Sequence, residues 1–182
     1  MKDLIANSIK YQSGTLTVLD QYLLPHQQHW HVCHDVAAMK DLILTLKIRA
    51  APLIGLGASL LVAHLAEQGM SKEALADAID ELEATRPTAV NLMHCMTKLR
   101  EALAKSDFVE EIVKTAEQLF NEDIALCDSM AEHGVNLVLK GDNILTHCNT
   151  GALATAGIGT ALGVIYKAQQ RHGDIHVWVD ET

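Results

Sequence analysis

A chain of 182 residues with 49% hydrophobic, 20% charged and only 4% aromatic residues is globular, with a core of Ala, Leu, Ile and Val. Its formal charge of -9 argues against a nucleic-acid partner, which needs a basic patch. The longest apolar run, Ala50 to Ala63, is interrupted by Pro52 and is too short to span a bilayer, and Met1-Lys-Asp-Leu-Ile-Ala-Asn lacks the apolar stretch of a secretion signal. Cys33, Cys95, Cys127 and Cys148 form no C-x-x-C pair, which suits reduced thiols in a cytoplasm.

Residues 8 to 33 read as short strands. Ser8 to Gln12, the turn Ser13-Gly14 and Thr15 to Leu19 make a hairpin, and His29 to Cys33 a third strand. His29, His31 and Cys33 would share one face of that strand, but no further spaced ligands complete a metal site. A helix from about Asp35 to Thr45 carries Val36, Met39, Leu42, Ile43 and Leu46 on one face. Pro52 then suits the first turn of a helix that is apolar nearly all round, hence central, and ends at Gln68-Gly69. Ser71 caps the next helix, to about Ala84. At Arg86-Pro87 the arrangement of Arg49 and Pro52 recurs: an Arg just ahead of a Pro and a helix, here running to about Lys105. Helix N-termini bind anions and a nearby Arg adds a fork for phosphate, so Arg49 and Arg86 together point to a phosphate site.

Asp107 with Glu110 has capping-box spacing ahead of a long helix with Val109, Ile112, Val113, Ala116, Phe120, Ile124, Cys127 and Met130 at helical intervals. Lys140-Gly-Asp-Asn143 is the clearest boundary, dividing an N-terminal β-hairpin and helical domain, 1–140, from a second domain, 143–182. In the second, Ile144 and Leu145 read as a short buried strand, Ala154 to about Arg171 as helix, His172-Gly-Asp174 as a turn and Ile175 to Val179 as another strand, one βαβ unit. Two parallel strands and one helix cannot bury both sheet faces, so this domain is expected to be incomplete as given.

Thr146-His-Cys-Asn149 crowds polar chemistry at the first strand's end, where open α/β sheets place ligands. A thiol facing a helix start meets partial positive charge, which suits thiolate chemistry; the alternative is that Cys148 is a small buried hydrophobe. Gly157-x-Gly-x-x-x-Gly163 lies too far beyond the strand for a dinucleotide fingerprint, and its small residues suit close packing of the helix on the sheet.

These segments resemble the methylthioribose-1-phosphate isomerase family, whose relatives include regulatory subunits of a translation initiation factor. The likeness runs through Leu19-Asp-Gln21, Leu24-Pro25, Ile48 to Gly55, Arg86 to Leu92, Ile144 to Gly157, Gly159 to Gly163 and Val179 to Thr182. It implies an α+β N-terminal domain of a small β-sheet plus helices, then the first βαβ unit of an incomplete Rossmann-like α/β domain, with the active site between. It implies conversion of S-methyl-5-thioribose 1-phosphate to S-methyl-5-thioribulose 1-phosphate in methionine salvage, with no metal or nucleotide cofactor, by a cytoplasmic homodimer. Cys148 matches the family's catalytic Cys. Arg49, Ala50, Ala51 and Pro52 match its Arg-Gly-Ala-Pro segment, which with Arg86 holds the substrate phosphate. His147, Asn149, Thr150 and Gly151 are the supporting residues. Ala50 replaces the family's Gly, a handicap if that backbone needs φ > 0. The family's catalytic Asp would lie beyond residue 182, so the resemblance also implies an inactive piece or a regulatory relative as the alternative, or an isomerase of a related sugar such as 5-deoxyribose 1-phosphate.

Overall fold

The computed structural model describes residues 1–180, without the side chain of Ala51. Strands β1 (Leu4–Ile5), β2 (Ile9–Gln12), β3 (Thr15–Leu19) and β4 (Trp30–Val32) form one antiparallel sheet in that order. Ile9 and Tyr11 on β2, and Leu16 and Val18 on β3, are buried, as alternation demands of a sheet with one covered face. The β2–β3 turn is two residues long, with Ser13 at φ 51° and Gly14 at φ 75°, the left-handed pair that matches strand twist. β1 carries too short an alternating run for the sequence to announce it.

The helices follow. α1 (Val36–Leu44) is capped by Asp35, whose Oδ1 accepts the Ala38 N–H at 2.8 Å. Leu46 is not on its apolar face: it lies past the helix end at φ 59°, exposed, where the chain reverses into Lys47. α2 (Ala51–Glu67) is the central helix, with Leu53, Ile54, Leu60 and Leu61 fully buried. It packs against α4 (Val90–Leu103) and α5 (Phe108–Gly134), while α3 (Lys72–Thr85) covers α4 and α1. Ser71 caps α3 by accepting the Ala74 N–H. The capping box at α5 does not form: Asp107 is the N-cap residue but makes no side-chain cap bond, its φ of -98° and ψ of 44° departing from the extended conformation that a cap needs.

The α2–α4 crossing is close. A Cβ added at Gly55 would lie 2.8 Å from Cys95 Sγ and 2.9 Å from the Asn91 carbonyl oxygen, so backbone touches backbone. That approach draws the N-termini of α2 and α4 together.

Beyond a 3₁₀ turn (Val135–Leu137), β5 (Asn143–Thr146) pairs in parallel with β6 (His176–Val179), and α6 (Ala161–His172) joins them, packed on α5. Gly173 ends α6 at φ 66°. Two sequence expectations fail here. Residues 154–160 are not helical: Gly159 sits at φ 100° against the Thr150 carbonyl, and Gly157 packs on the backbone of α5 at Ile124, so the small residues press a loop onto α5 rather than a helix onto the sheet. Leu145 is not buried: it is 67% exposed, and Trp178, its partner on the same face, 58%, because the two-stranded sheet has no layer over that side among the described residues. Ala154 and Ala156 nevertheless belong to the same apolar core as α2 and α5. No helix among the described residues is long and apolar enough to cross a membrane.

Candidate active site

Helices α2 and α4 both begin without a side-chain cap. Their N-cap residues are Ala50 and Ala89, in extended conformation, and neither can accept a first-turn N–H. Each helix start therefore leaves unpaired donors and a partial positive charge near +0.5. Arg49 and Arg86 stand beside these two ends. Among the described residues neither has a carboxylate within 4.0 Å, whereas Arg100 pairs with both Asp80 and Glu83.

The two helix starts and both arginines line one cleft of about 520 Å³, together with Cys148 and Asn149. Thr88 and Asn91 add polar groups, and Pro52, Ile54 and Val90 supply apolar wall. Ala50 has φ -90°, so this backbone takes an L side chain without strain, and the substitution of Ala for Gly carries no backbone cost here. The side chain of Ala51 lies outside the described residues.

Cys148 follows β5 in a left-handed conformation, φ 70°, and is exposed. A non-glycine residue held there costs about 1–2 kcal/mol and persists only when its surroundings enforce it. The reading as a buried hydrophobe does not hold. The other three thiols are core residues: burial pushes Cys33 up to about 12, Cys95 up to about 11, and Cys127 above the usual thiol range. A helix does not begin directly after Cys148; the loop of residues 147–160 intervenes, and the helix starts beside the thiol are those of α2 and α4.

That loop is held at several points. The Thr150 carbonyl accepts the Thr160 N–H at 2.9 Å, and Gly151 bridges Gly159. Thr146 and Thr150 hydroxyls lie 3.4 Å apart. Asp123 on α5 accepts the Ala156 N–H at 2.7 Å; burial raises its carboxyl above the ordinary range, partly offset by the Ala156 and Gly157 N–H groups. Of the supporting residues, only Asn149 lines the cleft. His147 points outward, 3.4 Å from the Asp180 carboxylate, and Thr150 and Gly151 hold the loop's own shape. Ser8, Gln21 and Asp123 each reach the loop from a distant part of the chain, and neither periodicity nor spacing in the sequence marks them as site residues.

At the β4 end, His31 Nε2 meets Asp20 Oδ2 at 2.8 Å, and Cys33 is buried, its thiol directed at the Asp35 carbonyl. Among the described residues no three His, Cys, Asp or Glu groups are placed to hold a metal ion.

The methylthioribose-1-phosphate isomerase of Serratia proteamaculans is 49% identical over the whole chain, and that of Klebsiella pneumoniae 47%. The chain spans about half the length of these curated relatives, 53% in each case. Among solved structures, 5-methylthioribose 1-phosphate isomerase from Pyrococcus horikoshii superposes with TM-score 0.82 at 30% identity, over 98% of this chain and 53% of that one. Subunit delta of translation initiation factor eIF-2B from A. fulgidus gives TM-score 0.79 at 34% identity, over 98% and 55%. The model of the initiation factor 2 subunit family matches residues 47–182, the span that holds Arg49, Arg86 and Cys148, and the chain belongs to that family.

Proposed function

We propose that this chain supplies the phosphate grip and one acid–base group of an aldose–ketose isomerase that converts S-methyl-5-thioribose 1-phosphate to S-methyl-5-thioribulose 1-phosphate. The observation that carries the reading is the convergence of Arg49, Arg86 and Cys148 on one cleft with two uncapped helix starts. The names of the relatives support the substrate.

The anomeric phosphate blocks simple ring opening, so the ring oxygen must be helped to leave while a proton moves from C2 to C1. That chemistry needs an acid and a base at opposite ends of the sugar. Arg49 and Arg86 hold the phosphate dianion by charge-assisted forks, with the α2 and α4 ends adding N–H donors. Cys148 acts on the sugar carbons. The region from residue 143 is the start of a Rossmann-like domain, and the working form is a homodimer.

Titration with S-methyl-5-thioribose 1-phosphate tests the grip. Arg49→Ala and Arg86→Ala should each weaken binding roughly tenfold or more, the size expected for a lost charge-assisted pair. In a protein of the relatives' full length, Cys148→Ala should abolish turnover. Turnover that survives Cys148→Ala would end the catalytic assignment. Unchanged binding in both Arg variants would end the phosphate site. A second reading, sugar-phosphate binding without turnover, is favoured by the likeness to a translation initiation factor subunit. Binding without turnover in the longer protein would select it. Comparing 5-deoxyribose 1-phosphate in the same assay defines the 5-substituent.

A further inference from the structure

Gln21 is hydrogen-bonded both to the segment just ahead of Arg49 and to the loop that carries Cys148. Its backbone N–H donates to the Lys47 carbonyl at 2.9 Å, just ahead of Arg49. Its side-chain Nε2 donates to the Leu153 carbonyl at 2.8 Å, and its Oε1 accepts from Asn149 Nδ2 at 3.5 Å, both on the loop that carries Cys148. The Ser8 hydroxyl donates to the same Leu153 carbonyl at 3.2 Å. Gln21 is 7% exposed, so water does not replace these bonds when they are lost.

The bend that presents Gln21 is itself fixed. Asp20, 3% exposed, accepts the Tyr22 N–H at 3.0 Å and meets His31 Nε2 at 2.8 Å, while its own N–H donates to the His29 carbonyl at 2.8 Å. A buried amide on a rigid bend therefore spans from the arginine segment to the thiol loop.

We propose that Gln21 is a positioning residue that sets the spacing between Arg49 and Cys148 and holds the Cys148 loop in its left-handed conformation. The proposal rests on the reading above for the roles of Arg49 and Cys148. It assigns a function to a residue that touches neither phosphate nor sugar.

The test uses a nitroxide on the native Cys148 and the electron spin resonance spectrum of the label. Gln21→Met removes both side-chain bonds at similar volume. Gln21→Glu keeps the acceptor toward Asn149 but sets a carboxylate against the Leu153 carbonyl; protonated, that carboxyl donates again. In both variants the label should tumble about twofold faster or more at about pH 8, with melting lowered but the fold retained, and inorganic phosphate should bind more weakly. At about pH 5, where a carboxyl facing a carbonyl in a buried site takes up its proton, the Gln21→Glu spectrum should return to that of wild type at the same pH. Spectra superimposable on wild type in folded variants would overturn the proposal. So would a folded Gln21→Glu protein whose spectrum stays mobile on acidification, since the protonated carboxyl restores the donor to the Leu153 carbonyl. Should Gln21→Met fail to fold, the pH pair on Gln21→Glu decides alone. Should wild type fail to bind inorganic phosphate, the reading of the cleft falls while the label still decides on Gln21.

Discussion

Gly55→Ala is the sharpest probe of how the helices build the cleft. The added methyl would sit 2.9 Å from the Asn91 carbonyl oxygen and 2.8 Å from Cys95 Sγ. A comfortable C···O contact is about 3.3 Å, so α2 and α4 must part by about 0.4 Å. Overpacking of this kind costs about 1–3 kcal/mol, against about 1 kcal/mol gained from helix propensity, leaving a net loss of roughly 1 kcal/mol. For a chain of this size that lowers Tm by about 2–4 °C. The same parting lengthens the bonds from the two helix starts to a shared anion beyond their optimum near 2.7–2.9 Å, and phosphate affinity should fall by roughly threefold or more. Gly57→Ala on the same helix is the control. Its methyl meets only the side-chain ends of Ile48, Ile9 and Met39, at 3.1 to 3.4 Å, which can give way. It should be neutral or stabilising, with phosphate affinity unchanged. Melting curves and phosphate titrations on both variants are the assay. A Gly55→Ala protein that melts at or above the Gly57→Ala protein would refute the close crossing.

Cys148 should take up iodoacetamide well before Cys33, Cys95 and Cys127, read by peptide mass spectrometry, because it is exposed while burial raises the other three; faster labelling of any core thiol would contradict the geometry. The Asp20 carboxyl lies below its ordinary range, since burial is outweighed by the His31 and Tyr22 hydrogen bonds. Its contribution is present above the unfolded value near 3.9 and is lost as pH falls through the lower folded value, so urea midpoints should drop less steeply in acid for Asp20→Asn than for wild type. Asp123 has the opposite sign, raised by burial: its protonated form contributes stability below the unfolded value that is lost as pH rises through the folded one, a dependence that Asp123→Asn should remove. The exposed apolar pair of Leu145 and Trp178, facing each other across β5 and β6, should drive self-association in sedimentation runs, and Leu145→Ser should weaken it; an unchanged association constant would place the contact elsewhere.

Local chemistry made much of this chain legible as a sequence. Ser13-Gly14 suits the reversal of a hairpin, Pro52 opens a helix, and the helix that follows, apolar nearly all round, must be central because no exposed face could carry it. Arg49, Arg86 and Cys148 were readable as candidates because each stands at an element's end, where polar chemistry is not needed for packing. Tertiary structure decided the rest. Whether residues 154–160 continue a helix depends on α5 pressing against Gly157, and whether Leu145 is buried depends on what lies over a two-stranded sheet; neither is a local property. The spacing of Arg49 from Arg86 is fixed by the contact of Gly55 with Asn91, and that of Arg49 from Cys148 by the bonds of Gln21 to residues far along the chain. Periodicity reports which face of an element is apolar, but the distance between two elements is set by the side chains and hydrogen bonds where they meet, and those pairings exist only once the chain has closed on itself.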